Sequence, residues 1–281
     1  MILQSNSVQH IAGLWPALLI VSMLLAGCQD REVAMSIVSV KPYDKATCEV
    51  LTDDELFQVN GVVDLAMRQN YTANLKIENN LINVPEAKGL AESDARLSVN
   101  AIALRSAVIE YSTLDQLSTG IPTKRVQPLS GTISENSSLT LGDFELFSPD
   151  VLQQIRNAEE FFTNDNGEVK PTRTSVTILA RIRLKGQTID GREAESNEFL
   201  YPVEVCNGCR VTYPPEMLVQ RGGHLACPPR MLMDTDTNNS SVTTVCESIL
   251  GTDGSFVDCQ TCQGLAVNSF ARQLCQPPRI P

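Results

Sequence analysis

The sequence predicts a mainly β protein in two parts: a β-sandwich with one inserted helix over residues 33–206, then a cysteine-rich, loop-rich region over residues 207–281. Three observations predict this. Apolar and polar residues alternate along most of the first part, the period of half-buried strands. A single stretch has helical spacing behind a helix-start signal. Residues 202–281 hold seven of the nine cysteines and eight of the fifteen prolines, and apolar periodicity fades there.

The elements follow in order. Val33 to Val40 is a β-rich run. Phe57, Val59, Gly61, Val63, Leu65 and Met67 share one parity, with Val62 the exception on the other. Tyr71, Ala73, Leu75 and Ile77 alternate with Thr72, Asn74, Lys76 and Glu78. These two runs predict half-buried antiparallel strands joined by Arg68-Gln69-Asn70. Leu97, Val99 and Ala101 alternate, and Ala107 to Tyr111 continues on the same pattern after a bulge. Gly131 to Leu141 is a weaker strand. Val176 to Leu184 alternates over nine residues. Gly186 to Gly191 turns it into another strand ending near Phe199 to Val205. Ser148-Pro149-Asp150 supplies an N-cap, a first-turn proline and an early acid. Val151, Leu152, Ile155, Ala158, Phe161 and Phe162 carry the helix on, and Asn164-Asp165-Asn166-Gly167 stops it. A domain of this size buries enough surface to fold without a metal.

The N-terminus reads as a targeting segment. Ile11 to Leu25 is apolar apart from Gly13, Pro16 and Ser22, and is shorter than the ~20 residues of a membrane span. It ends in Leu25-Ala26-Gly27-Cys28, which resembles the lipobox of bacterial lipoproteins. Met1 to His10 carries neither Lys nor Arg, a departure from that family's pattern. The resemblance implies a signal peptide over 1–27, acylation of Cys28 with chains such as palmitate, and a lipidated tether over 28–32. Gln29 follows the cysteine where an aspartate signals inner-membrane retention, which implies the outer membrane. Several acyl chains at ~0.8 kcal/mol per buried methylene make such an anchor lasting.

A second resemblance concerns the first part. Asn60-Gly61-Val62-Val63-Asp64-Leu65, then Tyr71 to Asn79 and the strand through Glu110, is similar to uncharacterised bacterial lipoproteins. It also looks like the immunoglobulin-like sandwich of water-stress (desiccation-related) proteins. That resemblance implies an immunoglobulin-like sandwich and carries no catalytic residues.

With Cys28 acylated, eight cysteines remain: Cys48, Cys206, Cys209, Cys227, Cys246, Cys259, Cys262 and Cys275. An even number in an exported chain predicts disulfides, among which eight cysteines allow 105 pairings. Cys48, far from the others, is expected to tie the early sandwich to the tail. The alternative is metal, since Cys206-Asn207-Gly208-Cys209 and Cys259-Gln260-Thr261-Cys262 could offer four thiolates to zinc. A thioredoxin-like redox role needs a helix right after the motif, and Pro214-Pro215 follows the first pair too soon for one.

Other candidates are weaker. His224 is the sole histidine after residue 27 and so the only imidazole base for an exported hydrolase. No G-x-S-x-G elbow accompanies it. Asp234-Thr235-Asp236-Thr237-Asn238 starts like a calcium loop, but Asn239 and Val245 stand where glycine and a bidentate acid belong. The net charge of −11 argues against nucleic acid. The expectation is a membrane-anchored envelope lipoprotein, without cofactor or catalysis, with a structural, adhesive or protein-binding role toward another envelope component. A metal- or small-ligand-binding surface module using the cysteine pairs or the Asp234 loop is the alternative. A hydrolase using His224 is third.

Overall fold

Two β-sheets enclose one apolar core in the computed structural model, which describes residues 33–44, 47–81, 99–114, 121–165, 168–221, 224–228, 249–253 and 255–278. The first sheet has the order β1-β3-β7, where β1 is Met35–Lys41, β3 is Tyr71–Asn79 and β7 is Ser138–Phe147. The second has the order β2-β12-β10-β4-β5. Its strands are β2 (Gly61–Asp64), β4 (Ile102–Thr113), β5 (Lys124–Pro128), β10 (Ser175–Thr188) and β12 (Phe199–Cys206). Two short strands, β6 (Thr132–Ile133) and β11 (Glu193–Glu195), add to β4 and β10. The fold is mainly β, as the alternation predicts.

Side chains from both sheets share the core. Ile37, Leu75, Ile77, Phe144 and Phe147 come from the first sheet, and Ile109, Tyr111, Ile178, Ile182, Tyr201 and Val203 from the second. The Tyr111 and Phe147 rings stack at 5.3 Å, and the Tyr111 hydroxyl donates to Leu146 O at 2.7 Å, so the interface is both packed and hydrogen-bonded. Strand β10 alternates without a break, burying Val176, Ile178, Ala180, Ile182 and Leu184. In β4 the buried parity switches from Ile102 and Leu104 to Ala107, Ile109 and Tyr111. The cause is a bulge: Gly186 pairs with Leu104 and Lys185 with Ser106, leaving Arg105 unopposed. The sequence predicts a bulge between Ala101 and Ala107 but keeps one parity across it; the strand starts only at Ile102, Val99 is exposed, and Leu97 lies outside the described residues.

Helix α1 (Pro149–Arg156) closes one part of the core with Val151, Leu152 and Ile155. It is shorter than predicted. Ser148 sits at the N-cap but its side chain makes no capping bond. After Arg156 the chain tightens into a 3-10 turn (Glu159–Phe161), which still buries Phe161. Phe162 then opens a hairpin of β8 (Phe162–Asp165) with β9 (Glu168–Pro171). Asn164 and Asp165 therefore lie in a hairpin strand instead of stopping a helix, and Asn166 and Gly167 lie outside the described residues.

The strand predicted over 57–67 is corrected. Only Gly61–Asp64 is a strand, all four residues are buried, and it runs parallel to β12, while β3 lies in the other sheet. Phe57 and Val59 are 58% and 73% exposed. A strand covered on both faces has no reason to alternate, and Val62 was the sign of it. Upstream, the buried Lys41 takes hold of the loop: its Nζ donates to Asp53 O at 2.6 Å and Leu56 O at 3.1 Å. Those bonds hold residues 53–56 out of strand geometry.

The tail is more regular than its prolines suggest. It contains β13 (Val211–Thr212) paired with β16 (Val257–Asp258), and β14 (Val219–Arg221) paired with β15 (His224–Ala226). Two short helices follow, α2 (Cys259–Leu265) and α3 (Ser269–Leu274). Asp258 caps α2 by accepting from the backbone N–H of Gln260 and Thr261, and Asn268 caps α3 through Ala271. These tail elements surround a second apolar cluster, into which Ala66 and Met67 of the β2–β3 turn insert. Both clusters belong to one compact unit, Val33–Pro281.

Candidate functional site

The end of β2 is where the tail meets the sandwich, and Asp64 stands at that junction. It pairs with Cys206 in the parallel ladder and is fully buried. Its Oδ1 accepts from the backbone N–H of Ala66 at 2.9 Å and of Gly208 at 2.8 Å, and its Oδ2 from Arg210 at 2.9 Å. One side chain thus satisfies donors of its own turn and of the Cys206-Asn207-Gly208-Cys209 loop. Burial still pushes the Asp64 carboxyl above the ordinary carboxylate range, outweighing the three N–H donors and the nearby Arg173 guanidinium, which pull it down.

Every residue of that loop is held. The Asn207 amide donates to Phe161 O at 3.3 Å and Thr172 O at 3.1 Å. Gly208 has a φ of 74°, and a Cβ there would stand 3.1 Å from the Leu274 Cβ. Glycine is required both by the left-handed backbone and by the close helix. Arg173 donates to Gly208 O at 2.8 Å, to Gln276 O at 2.8 Å, and to Leu274 O and the Tyr213 hydroxyl. This guanidinium joins the loop to the end of α3, using the fixed fork that a lysine lacks.

A second polar group clamps the other flank of β2. Tyr71 donates to Asp253 Oδ1 at 2.8 Å, which also accepts from Val62 N at 3.1 Å. The Tyr71 and Tyr201 hydroxyls lie 3.4 Å apart. Burial raises the Asp253 carboxyl and both tyrosine hydroxyls.

All seven described cysteines are disulfide-bonded. Cys206 bonds Cys209, Cys227 bonds Cys259, and Cys262 bonds Cys275. The partner of Cys48, like Cys28 and Cys246, lies outside the described residues. The two C-x-x-C pairs therefore do not gather four thiolates: the first is bridged to itself and the members of the second are bridged to Cys227 and Cys275. The chain-entropy model gives about 4 kcal/mol for the 32-residue separation of Cys227–Cys259 and about 3 kcal/mol for the 13 of Cys262–Cys275, but only about 2 kcal/mol for the 3 of Cys206–Cys209. The last bridge is the weakest staple. It is also the most accessible of the three, since Cys209 is exposed while the four cysteines of the other two bridges are buried. The nearest Asp64 oxygen and the two sulfurs lie within 4.8 Å of one another.

The remaining candidates stay apart from this junction. His224 is exposed on the β14–β15 hairpin opposite Arg221, and no acid or nucleophile is bonded to it among the described residues. The Asp234-to-Asn238 loop lies outside the described residues. Asp64, Arg173 and Asp253 were not singled out by sequence reasoning. A single buried acid has no local pattern, and Asp64 reaches donors 144 and 146 residues away. No protein-family model, curated protein or solved structure matches the chain.

Proposed function

We propose that this protein is a membrane-anchored envelope lipoprotein, tethered through Cys28 to the outer membrane, with a structural, adhesive or protein-binding role and no catalysis. The observation that carries the reading is the oxidation of all seven described cysteines. Stable disulfides belong to compartments outside the cytosol, which is where the apolar segment and Leu25-Ala26-Gly27-Cys28 would send the chain. The polar groups at the junction support a scaffold: they are spent on backbone donors and acceptors that hold the tail. Among the described residues no acid or nucleophile orients His224 as a hydrolase base would need.

The test is an intact mass of the protein extracted from membranes, with Cys28→Ala in parallel. The expected mass begins at Cys28 and carries acyl chains, and the variant is recovered without them in the soluble fraction. An unacylated wild-type protein that retains residues 1–27 would overturn the reading.

A further inference from the structure

We propose that Cys206–Cys209 is an exchangeable disulfide through which the protein forms a mixed disulfide with a thiol-bearing partner protein. Cys209 is the sulfur attacked, Cys206 is the leaving and resolving sulfur, and the Asp64 carboxyl gives and reclaims the Cys206 proton. The inference does not depend on the lipid anchor.

Three observations carry it. Thiol–disulfide exchange needs access to one sulfur, and Cys209 is exposed whereas Cys206, Cys259, Cys262 and Cys275 are 0% exposed and Cys227 is 2% exposed. Exchange also needs somewhere for the charge on the departing sulfur to go. Cys206 is buried, so a bare thiolate there is costly, and the Asp64 carboxyl lies within 4.8 Å of both sulfurs. Finally, the bridge closes too short a loop for its value to be mainly that of a staple.

The step balances without an outside oxidant. The partner thiolate attacks Cys209 Sγ, a new S–S bond forms, and the Cys206–Cys209 bond breaks. The electron pair leaves with Cys206 Sγ, which takes the proton held by the Asp64 carboxyl. Among the described residues its Oδ2 accepts from the Arg210 N–H alone and keeps a lone pair for the proton. In reverse, the Asp64 carboxylate removes the Cys206 proton, the thiolate attacks Cys209 Sγ, and the partner thiolate departs. Disulfide number is conserved. Burial raises the Asp64 carboxyl, which favours its holding a proton. The charged and titratable groups around it are the Arg173 guanidinium and the Tyr213 hydroxyl, with Arg156 on the neighbouring Leu65 and Arg68 carbonyls; Arg210 meets it through the backbone N–H while its guanidinium lies over the Phe256 ring.

Glutathione is the probe. The native, fully oxidised chain is incubated with reduced glutathione at a series of pH values, quenched by alkylation and mapped by mass spectrometry. Cys48, exposed on a different loop, is the internal control for ordinary surface exchange. The glutathione adduct is expected on Cys209 and not on Cys206, with Cys227–Cys259 and Cys262–Cys275 opening at least about tenfold more slowly. Corrected for thiolate concentration, the rate at Cys209 should fall as pH rises, while the rate at Cys48 stays level. Asp64→Asn should flatten the Cys209 profile and slow the exchange by about 10²-fold where Asp64 is protonated, a typical acid–base contribution. An adduct on Cys206, equal opening of the buried bridges, or a Cys209 profile as level as that of Cys48 would overturn the proposal. Should Asp64→Asn fail to fold, the adduct position and the wild-type profile decide alone.

Discussion

Replacing Gly61 by alanine tests how β2 is held between the sandwich and the tail. A Cβ on Gly61 would stand 2.1 Å from the Tyr71 hydroxyl oxygen, 2.7 Å from its Cζ and 3.1 Å from the Tyr201 ring. Tyr71 is buried among β3 neighbours and cannot swing into solvent. The methyl must therefore displace the ring end, at about 1–3 kcal/mol for overpacking. The displacement also breaks the 2.8 Å bond to Asp253, worth about 1.5–3 kcal/mol when the acceptor is charged. The sum is about 3–6 kcal/mol, a large part of the stability of an ordinary domain. Tyr71→Phe alone should cost only the hydrogen bond. In the double variant the closest clash has gone and the bond is already lost, so the two costs should fall short of additivity by at least about 1 kcal/mol. Urea unfolding of the disulfide-intact proteins, followed by far-UV circular dichroism, measures all four corners of the cycle. Strict additivity, or a Gly61→Ala variant as stable as wild type, would refute the account of this junction.

Three further outcomes are expected. A non-reducing peptide map should return Cys206–Cys209, Cys227–Cys259 and Cys262–Cys275, and should link Cys48 to Cys246; a Cys48–Cys28 peptide would exclude the acyl anchor. Arg173→Lys should loosen the C-terminal end, since one ammonium cannot serve Gly208 O, Leu274 O and Gln276 O in the same fork; a loss of about 1–3 kcal/mol and faster proteolysis near Gln276 would show it, and unchanged cleavage would not fit. Stability should peak on the mildly acidic side. Asp64 and Asp253 are raised above 3.8 in the fold, so the native state binds more protons and loses stability as pH rises from 3.8 through their folded values. Asp54 and Asp190 are lowered by Lys76 and by Thr188 with Arg192, and their contribution is present above 3.8 and lost as pH falls through their folded values. A urea midpoint higher at about pH 5 than at about pH 8, with the difference reduced in Asp64→Asn and Asp253→Asn, is the expected result. A midpoint that only falls on acidification would contradict it.

How much was legible in the sequence depends on how far each interaction reaches. Strand β10 shows its alternation over consecutive residues because one face meets the core and the other meets water. The Arg105 bulge falls where the sequence predicts one, between Ala101 and Ala107, but the switch of buried parity that it causes shows only in the pairing with β10. The start of α1 is marked by Ser148-Pro149-Asp150, although the capping bond itself is absent. The short helices of the tail are not predicted: the prolines and cysteines around them point to loops, and only the structure shows Asp258 and Asn268 capping them.

Neighbouring residues alone set the mainly β class, the local periodicity, the composition break near Pro202 and an even set of cysteines once Cys28 is set aside. These are properties of neighbours along the chain, written by the alternation of burial and by backbone preference. Tertiary structure alone decided that β2 lies parallel to β12, which cysteines pair, and that Asp64 and Arg173 lock the Cys206–Cys209 loop to the sandwich. Asp64 and Gly208 are 144 residues apart, and Tyr71 and Asp253 are 182 apart. No periodicity spans such distances. A buried acid finds its donors only after two sheets and a tail have closed around it, because desolvation leaves it no other partners.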